Sequence, residues 1–399
     1  MNVLKSKNYW CFIFLFLLIY TSDDSVLFGT YGNAMYFYAK YVMLVFVLLI
    51  LFVKYGAVKK NIIFMISVLL SFFIFNAIVS DFKFGFIYNV ILLLTSLAFA
   101  NEYSLELFKK NFCVIVCFLS ICSLVGYFVN LFIPQLLSPF PDLYNSENIS
   151  FKNCYFYVTF PSLPLRNFGI FREPGVYMVY LNIALFLEWF SEKPSVNRIV
   201  LLLFTLLTTL STAGFIIGAI TLFGGIIYKR RFKDAIMLTP IICIVYYFLT
   251  LEDSIFNTML FGKLEEGSDS GSTAARVASI MVPLEMFFSN PLGVGPDTYD
   301  ALFPIMSIRI YGVSIEPEVS TNTFLKYLAV YGFCVFFVYF FYLVRFVRFC
   351  FQDKYLILLF MLILLLALSN EDLRTSIFFN LMIAYGISCN VVNNNKTVK

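Results

Sequence analysis

The sequence predicts an all-α polytopic membrane protein of about 12 transmembrane helices, with both termini cytoplasmic and two long external loops containing short helices. Three observations predict it. Of 399 residues, 61% are hydrophobic and 13% charged, against about 45–50% and about 25% in soluble domains, so the chain is suited to a lipid solvent. The apolar residues fall into runs near the roughly 20 that a helix needs to cross the hydrocarbon core. The basic residues cluster in alternate connections between those runs.

The runs place spans near residues 9–27, 35–53, 61–79, 84–100, 111–133, 175–190, 198–211, 214–228, 234–251, 323–343, 354–369 and 373–391. The first has the apolar character of a signal peptide, but Thr21-Ser22-Asp23-Asp24 follows it where small residues would mark cleavage, so it is read as a retained span. Residues 198–228 are too long for one tilted helix and short for two. Ser211-Thr212-Ala213-Gly214 in their middle suits a tight break. The glycines between 214 and 225 suit close packing of helices.

Charge sets the parity. Lys5, Lys7, Lys54, Lys59, Lys60, Lys109, Lys110, Lys193, Arg198, Lys229, Arg230, Arg231, Lys233, Arg345, Arg348, Lys354, Lys396 and Lys399 all fall on one side if 198–228 crosses twice. Lys and Arg accumulate in cytoplasmic loops, so that side is cytoplasmic. The single integral membrane domain, 1–399, then has two substantial outer elements, 134–174 and 252–322. Loops of this length are functional or disordered, and the aromatic, Pro and Gly content of these two argues for order.

The absence of histidine excludes Ser-His-Asp triads and His-ligated metals. The nine cysteines lie mostly within apolar runs, and Cys154 has no second loop cysteine to pair with, so no disulfide framework is expected. GxxxxGK[ST], GxGxxG and paired CxxC motifs are absent. Acid–base chemistry is left to Asp, Glu, Tyr, Cys or Lys.

The first outer loop ends Leu165-Arg166-Asn167-Phe168-Gly169-Ile170-Phe171-Arg172-Glu173-Pro174-Gly175. Pro174 suits the first turn of the next span, where its missing N–H costs nothing. Arg166 and Arg172 then stand beside a helix N-terminus, which favours an anion. They read either as a phosphate clamp, since the guanidinium fork matches phosphate oxygens, or as anchors on lipid headgroups. Glu173 reads either as a proton-transfer group or as a dipole and ion-pair partner. The second loop carries a net charge of −7, which argues against a general polyanion surface, and no nucleic-acid partner is expected. Within it, 274–289 reads as an amphipathic helix with Val277, Ile280, Met281, Leu284 and Phe288 on one face, suited either to the membrane surface or to a packing lid. Pro283 is a candidate kink, and Asn290 to Pro296 makes a turn. Glu316 and Glu318 near the loop's exit are either solvated charges or a general base.

These segments resemble the Wzy-type O-antigen polymerases, relatives of the O-antigen ligases. The Arg166–Pro174 stretch is similar to the family's arginine, glycine, glutamate-proline segment before a span. Arg276 followed by Asn290-Pro291-Leu292-Gly293-Val294-Gly295 resembles the opening of its large external loop. Thr321-Asn322-Thr323-Phe324-Leu325 through Gly332 resembles its exit. The resemblance implies transfer of an undecaprenyl-pyrophosphate-linked oligosaccharide at the periplasmic face of the bacterial inner membrane. It implies no cofactor and no metal, contact with membrane lipid, and a chain-length regulator (co-polymerase) as partner. Arg166, Arg172 and Arg276 would stabilise the pyrophosphate, with Arg309 assisting. Glu173 or Glu318 would act on the acceptor hydroxyl, and Gly169, Tyr177 and Asn322 would line the substrate site.

Ligases of this superfamily place a histidine just before the asparagine of the exit motif, and here that position is Thr321. The polymerase reading is therefore preferred. An O-antigen ligase, a lipid-linked oligosaccharide flippase or other transporter, and a membrane acyltransferase are the alternatives. The central thirds of the spans carry almost no ionisable residues, which argues against transport.

Overall fold

The computed structural model describes residues 2–29, 34–55, 84–145, 148–229, 271–312, 314–315, 317 and 320–388. The expected spans 61–79 and 234–251, the loop segment 252–270, Glu316 and Glu318 lie outside the described residues. The helices are α1 (Asn2–Tyr20), α2 (Ala34–Phe37), α3 (Ala39–Tyr55), α4 (Phe84–Glu102), α5 (Leu105–Phe132), α6 (Pro174–Trp189), α7 (Val196–Thr208), α8 (Thr212–Lys229), α9 (Gly271–Ser289), α10 (Pro296–Tyr311), α11 (Thr323–Cys350), α12 (Lys354–Ser369) and α13 (Ile377–Ser388). Among the described residues, α5, α8 and α11 are long and apolar enough to cross a membrane, and several shorter helices are comparably apolar. At 1.5 Å per residue, the 28 residues of α5 extend about 42 Å, more than the roughly 30 Å hydrocarbon core.

Polar contacts between helix ends fall into two groups. At one end, Lys7 pairs with Glu102 at 2.7 Å and Arg198 with Glu188 at 3.2 Å, while Lys109 and Lys229 donate to the carbonyls of Cys350 and Trp189. These are residues that charge parity assigns to the cytoplasm. At the other end, the backbone N–H of Arg172 donates to Asp24 O at 2.9 Å, Arg166 Nε donates to Thr209 O at 3.2 Å, and the Tyr88 hydroxyl donates to Thr375 O at 3.4 Å. The first helix stops at Tyr20, short of residue 27, because the polar run from Thr21 to Ser25 turns back and is buried.

The 198–228 run divides into α7 and α8, with Leu210 in a left-handed conformation (φ 50°) at the break. The α8 glycines face large side chains. A Cβ at Gly218 would lie 2.9 Å from the Leu206 side chain, and one at Gly225 would overlap the Trp189 indole, so close approach requires glycine. In lipid, such packing and interhelical hydrogen bonds hold helices together, because apolar burial gives no advantage over lipid tails.

The chain is not wholly α-helical. The 134–174 connection holds a short 3₁₀ turn, Pro134–Leu137, and a three-stranded antiparallel sheet: β1 (Asp142–Tyr144), β2 (Ser150–Asn153) and β3 (Val158–Thr159). Asp142 faces Lys152 across β1–β2, and Lys152 faces Thr159 across β2–β3. Phe151, Val158, Phe160 and Phe168 bury one side of it against Val26.

Helix α9 covers the expected 274–289. Ala278, Ser279, Val282 and Met286 are buried, while Val277, Ile280, Met281 and Phe288 remain exposed. The larger apolar face thus points outward. The turn after it interlocks with a break in α11, where Gly332 takes φ 77° and ψ 176°. Val294 and Gly295 N–H groups donate to Ala329 O and Val330 O at 2.9 and 3.0 Å, and Phe333 N–H donates to Pro291 O at 3.0 Å. A broken helix in lipid is tolerated only where neighbouring protein satisfies the freed backbone groups in this way. Residues 296–311 belong to the second outer loop expected from the sequence. Helix α10 forms there, with Pro296 at its start, Asp297 in its first turn and Gly312 closing it in the left-handed region (φ 74°).

Candidate functional site

The site is built first by Asn167. Its Oδ1 accepts from Gly169 N–H at 2.9 Å, and its Nδ2 donates to Ser123 Oγ and Thr208 Oγ1 at 3.3 and 2.9 Å. Its backbone N–H donates to Thr208 O at 2.9 Å. One buried side chain therefore ties the arginine segment to α5 and to the α7–α8 break. Gly169 takes φ 56° and its carbonyl accepts from Val158 N–H at 2.8 Å, which turns the chain so that Arg166 and Arg172 leave the same tight loop. The ring of Tyr177 packs over Gly169, and the Tyr177 hydroxyl shares a 2.8 Å hydrogen bond with Ser123. Gly169 and Tyr177 are thus engaged in shaping the loop.

Pro174 occupies the first turn of α6, with Glu173 at the extended cap position, exposed and making no side-chain cap bond. Arg166 spends its Nε on Thr209 O, and no other hydrogen bond engages its guanidinium among the described residues. Burial lowers its proton affinity, against the raising charges of Glu173 and Glu371. Arg276, exposed on α9, makes no hydrogen bond or ion pair among the described residues and lies within electrostatic reach of Arg166 and Glu371. Two cations with uncommitted donors therefore face one region.

Arg172 is differently placed. Its Nη2 donates to Asp372 O at 2.5 Å, and its Nε is buried without a hydrogen-bond partner among the described residues. Burial disfavours its charge, but Asp24, then Glu173, Asp23 and Asp372, outweigh that and hold it firmly protonated. Asp24 Oδ2 also accepts from Tyr180 at 2.6 Å and from Ser376 at 2.5 Å. Beside it, Asp23 pairs with Lys40 at 2.7 Å and accepts from Thr375. Arg172 is a brace between the end of α1 and the connection from α12 to α13.

That connection carries two residues that sequence reasoning passed over. Asp372 is held by Arg374 at 2.9 Å and by Lys326 at 3.1 Å. Burial opposes its charge, but those two cations prevail and keep its carboxyl well below the usual carboxylate range. Glu371 is its opposite: 6% exposed, with no side-chain hydrogen bond among the described residues. Burial, then the charge of Glu173, pushes its carboxyl well up, against Arg172, Arg166 and Arg276. Its Oε1 fills the space in which a Cβ at Gly175 would stand. The signal for both was an acidic pair and an arginine between two apolar runs.

The remaining expected residues lie elsewhere or do other work. Arg309 on α10 is paired with Glu285 on α9. Asn322 caps α11, its Oδ1 accepting from Leu325 N–H at 3.0 Å.

Residues 199–340 match the protein family described as O-Antigen ligase. The match takes in Arg276, Arg309 and Asn322, while Arg166, Arg172 and Glu371 lie outside it. No curated protein and no solved structure matches the chain.

Proposed function

We propose that the chain is a membrane glycosyltransferase that moves an oligosaccharide from undecaprenyl pyrophosphate to a hydroxyl acceptor at the periplasmic face of the bacterial inner membrane. The observation behind this reading is the gathering of Arg166 and Arg276, both with uncommitted donors, beside Arg172, Glu173 and the buried Glu371. The departing pyrophosphate gains negative charge in the transition state, and preorganised guanidinium groups beside a helix N-terminus stabilise that charge most where it develops. Arg166 and Arg276 meet the anion, and Arg172 holds the loop that carries Glu371. The polyprenyl tail lies among the apolar helix faces. A chain-length regulator is the expected partner protein.

Two acceptors fit this chemistry. The description of the matched family backs the ligase reading. The polymerase reading, in which the acceptor is a sugar hydroxyl of another lipid-linked unit, rests on Thr321 standing where superfamily ligases carry histidine, in a chain with none. Deleting the gene and examining lipid-linked and surface glycans separates them. Single units at the surface without long chains support polymerase; long polymer retained on the lipid carrier supports ligase. A unit trapped at the cytoplasmic face would instead indicate a flippase and overturn the transferase reading.

A further inference from the structure

We propose that Glu371 is the general base that takes the proton of the acceptor hydroxyl; the assignment rests on the glycosyl-transfer reading above. Glu371 lies outside the matched segment, and geometry singles it out. It is buried to 6% exposure in the connection between α12 and α13, yet no hydrogen bond occupies its carboxylate among the described residues. A carboxylate with no hydrogen-bond partner keeps its acceptor oxygens open to an incoming hydroxyl. Asp372 next to it is consumed by Arg374 and Lys326. Two adjacent carboxylates with such unlike surroundings are how a site separates a structural acid from a working one.

The main chain at Glu371 is fixed. Thr323 Oγ1 donates to Glu371 O and accepts from Leu373 N–H at 2.9 Å, and Arg172 grips the carbonyl of Asp372. The side chain therefore reaches from a rigid turn to the first turn of α6 at Gly175. Arg166, Arg172 and Arg276 act on it there, with Glu173 as the opposing charge. A base in this position lies within electrostatic reach of the arginines proposed to meet the leaving group. Its raised proton affinity makes it a stronger proton acceptor than an ordinary glutamate.

In the step, the acceptor O–H bond breaks and its proton passes to the Glu371 carboxylate. The acceptor oxygen's electron pair forms the new bond to the anomeric carbon. The bond from that carbon to the pyrophosphate oxygen breaks and leaves its pair on the pyrophosphate, whose added charge Arg166 and Arg276 meet. Water then removes the proton from Glu371.

The test uses the full-length protein in nanodiscs, with undecaprenyl pyrophosphate as binding probe and an undecaprenyl-pyrophosphate-linked oligosaccharide as donor. Glu371→Gln keeps the shape of the side chain. It is expected to bind the probe within about threefold of wild type while single-turnover transfer falls at least about 100-fold. Glu371→Asp is expected to recover part of that loss. Wild-type transfer by Glu371→Gln would overturn the assignment and leave the function standing. Loss of probe binding together with transfer would overturn it in favour of a structural role. If wild-type protein neither binds the probe nor transfers glycan, the functional reading itself fails.

Discussion

The carboxylate of Glu371 occupies the space that a side chain at Gly175 would fill. The two residues are far apart in sequence, and their contact joins the start of α6 to the connection between α12 and α13. Glycine at 175 is therefore a steric requirement of the site. Gly175→Ala is expected to displace Glu371 and lower glycan transfer by at least about tenfold, because small misplacements of a reacting group carry large rate penalties. Membrane expression should stay normal, since alanine is well tolerated in a helix. Comparing surface polysaccharide with protein level in complemented deletion strains checks this; unimpaired chain formation would mean that Glu371 moves aside at no cost.

Arg172 is expected to be intolerant of lysine. Its planar fork donates to Asp372 O while its charge faces Asp24. Lysine keeps the charge but presents a single ammonium on a flexible stem. Arg172→Lys should lose most transfer activity and shift the thermal unfolding midpoint in detergent downward, whereas Arg276→Lys should retain a measurable fraction. Arg276 makes no fixed contact among the described residues, so a point charge serves there better than at a brace. Equal tolerance at both positions would remove the distinction between brace and anion clamp.

Local pattern carried the helices and the arginine segment. Pro174 could be placed in the first turn of α6 because proline has a strong positional meaning, and the split of 198–228 was legible from polar residues inside an apolar run. Arg166, Arg172, Glu173 and Arg276 could be nominated because charge parity moved them out of the cytoplasmic set. What sequence order could not convey was who meets whom. Glu371 looked like one charge in a short connection, and only the seating of that connection against the first turn of α6 makes it the neighbour of those arginines. Tyr177 looked available beside Gly169, but the helical turn points it inward to Ser123. Arg309 looked like a fourth, assisting clamp residue, and its salt bridge to Glu285 depends on how α9 and α10 fold back on each other.

The break in α11 is expected to reject side chains. At Gly332 the backbone has φ 77°, and a Cβ there would overlap the Leu292 backbone. Gly332→Ala should destabilise the protein by roughly 1–3 kcal/mol from backbone strain alone, and more through the clash. A lowered unfolding temperature in detergent would record it. Gly312, with φ 74° but open space around it, should respond less to the same substitution. Equal responses would show that close approach to Leu292 is unimportant.

Removing the charge of Asp372 is expected to damage the fold more than the chemistry. Asp372→Asn leaves Arg374 and Lys326 without their shared anion, and breaking a buried pair costs about 3–5 kcal/mol. The same group predicts acid sensitivity with a definite sign. Its folded carboxyl is held low, so its contribution is fully present above the unfolded value of about 3.9 and is lost as pH falls further. Wild-type unfolding temperature should therefore drop below about pH 4, and Asp372→Asn should flatten that part of the profile. An unchanged slope in the variant would assign acid sensitivity to other groups.

Glu371 should govern the acid limb of activity. As a base it must be deprotonated, and burial with the charge of Glu173 raises its carboxyl, so the rate should fall with decreasing pH above the ordinary glutamate value of about 4.3. The charged groups acting on it are Glu173, Arg172, Arg166 and Arg276. Glu173→Gln removes a repelling anion and should move the limb to lower pH. Arg276→Ala removes an attracting cation and should move it to higher pH in whatever activity remains. Single-turnover transfer measured from pH 4 to 9 decides the point, because opposite displacements by the two variants require the titrating group to lie between those charges. A limb that neither variant moves belongs to another residue.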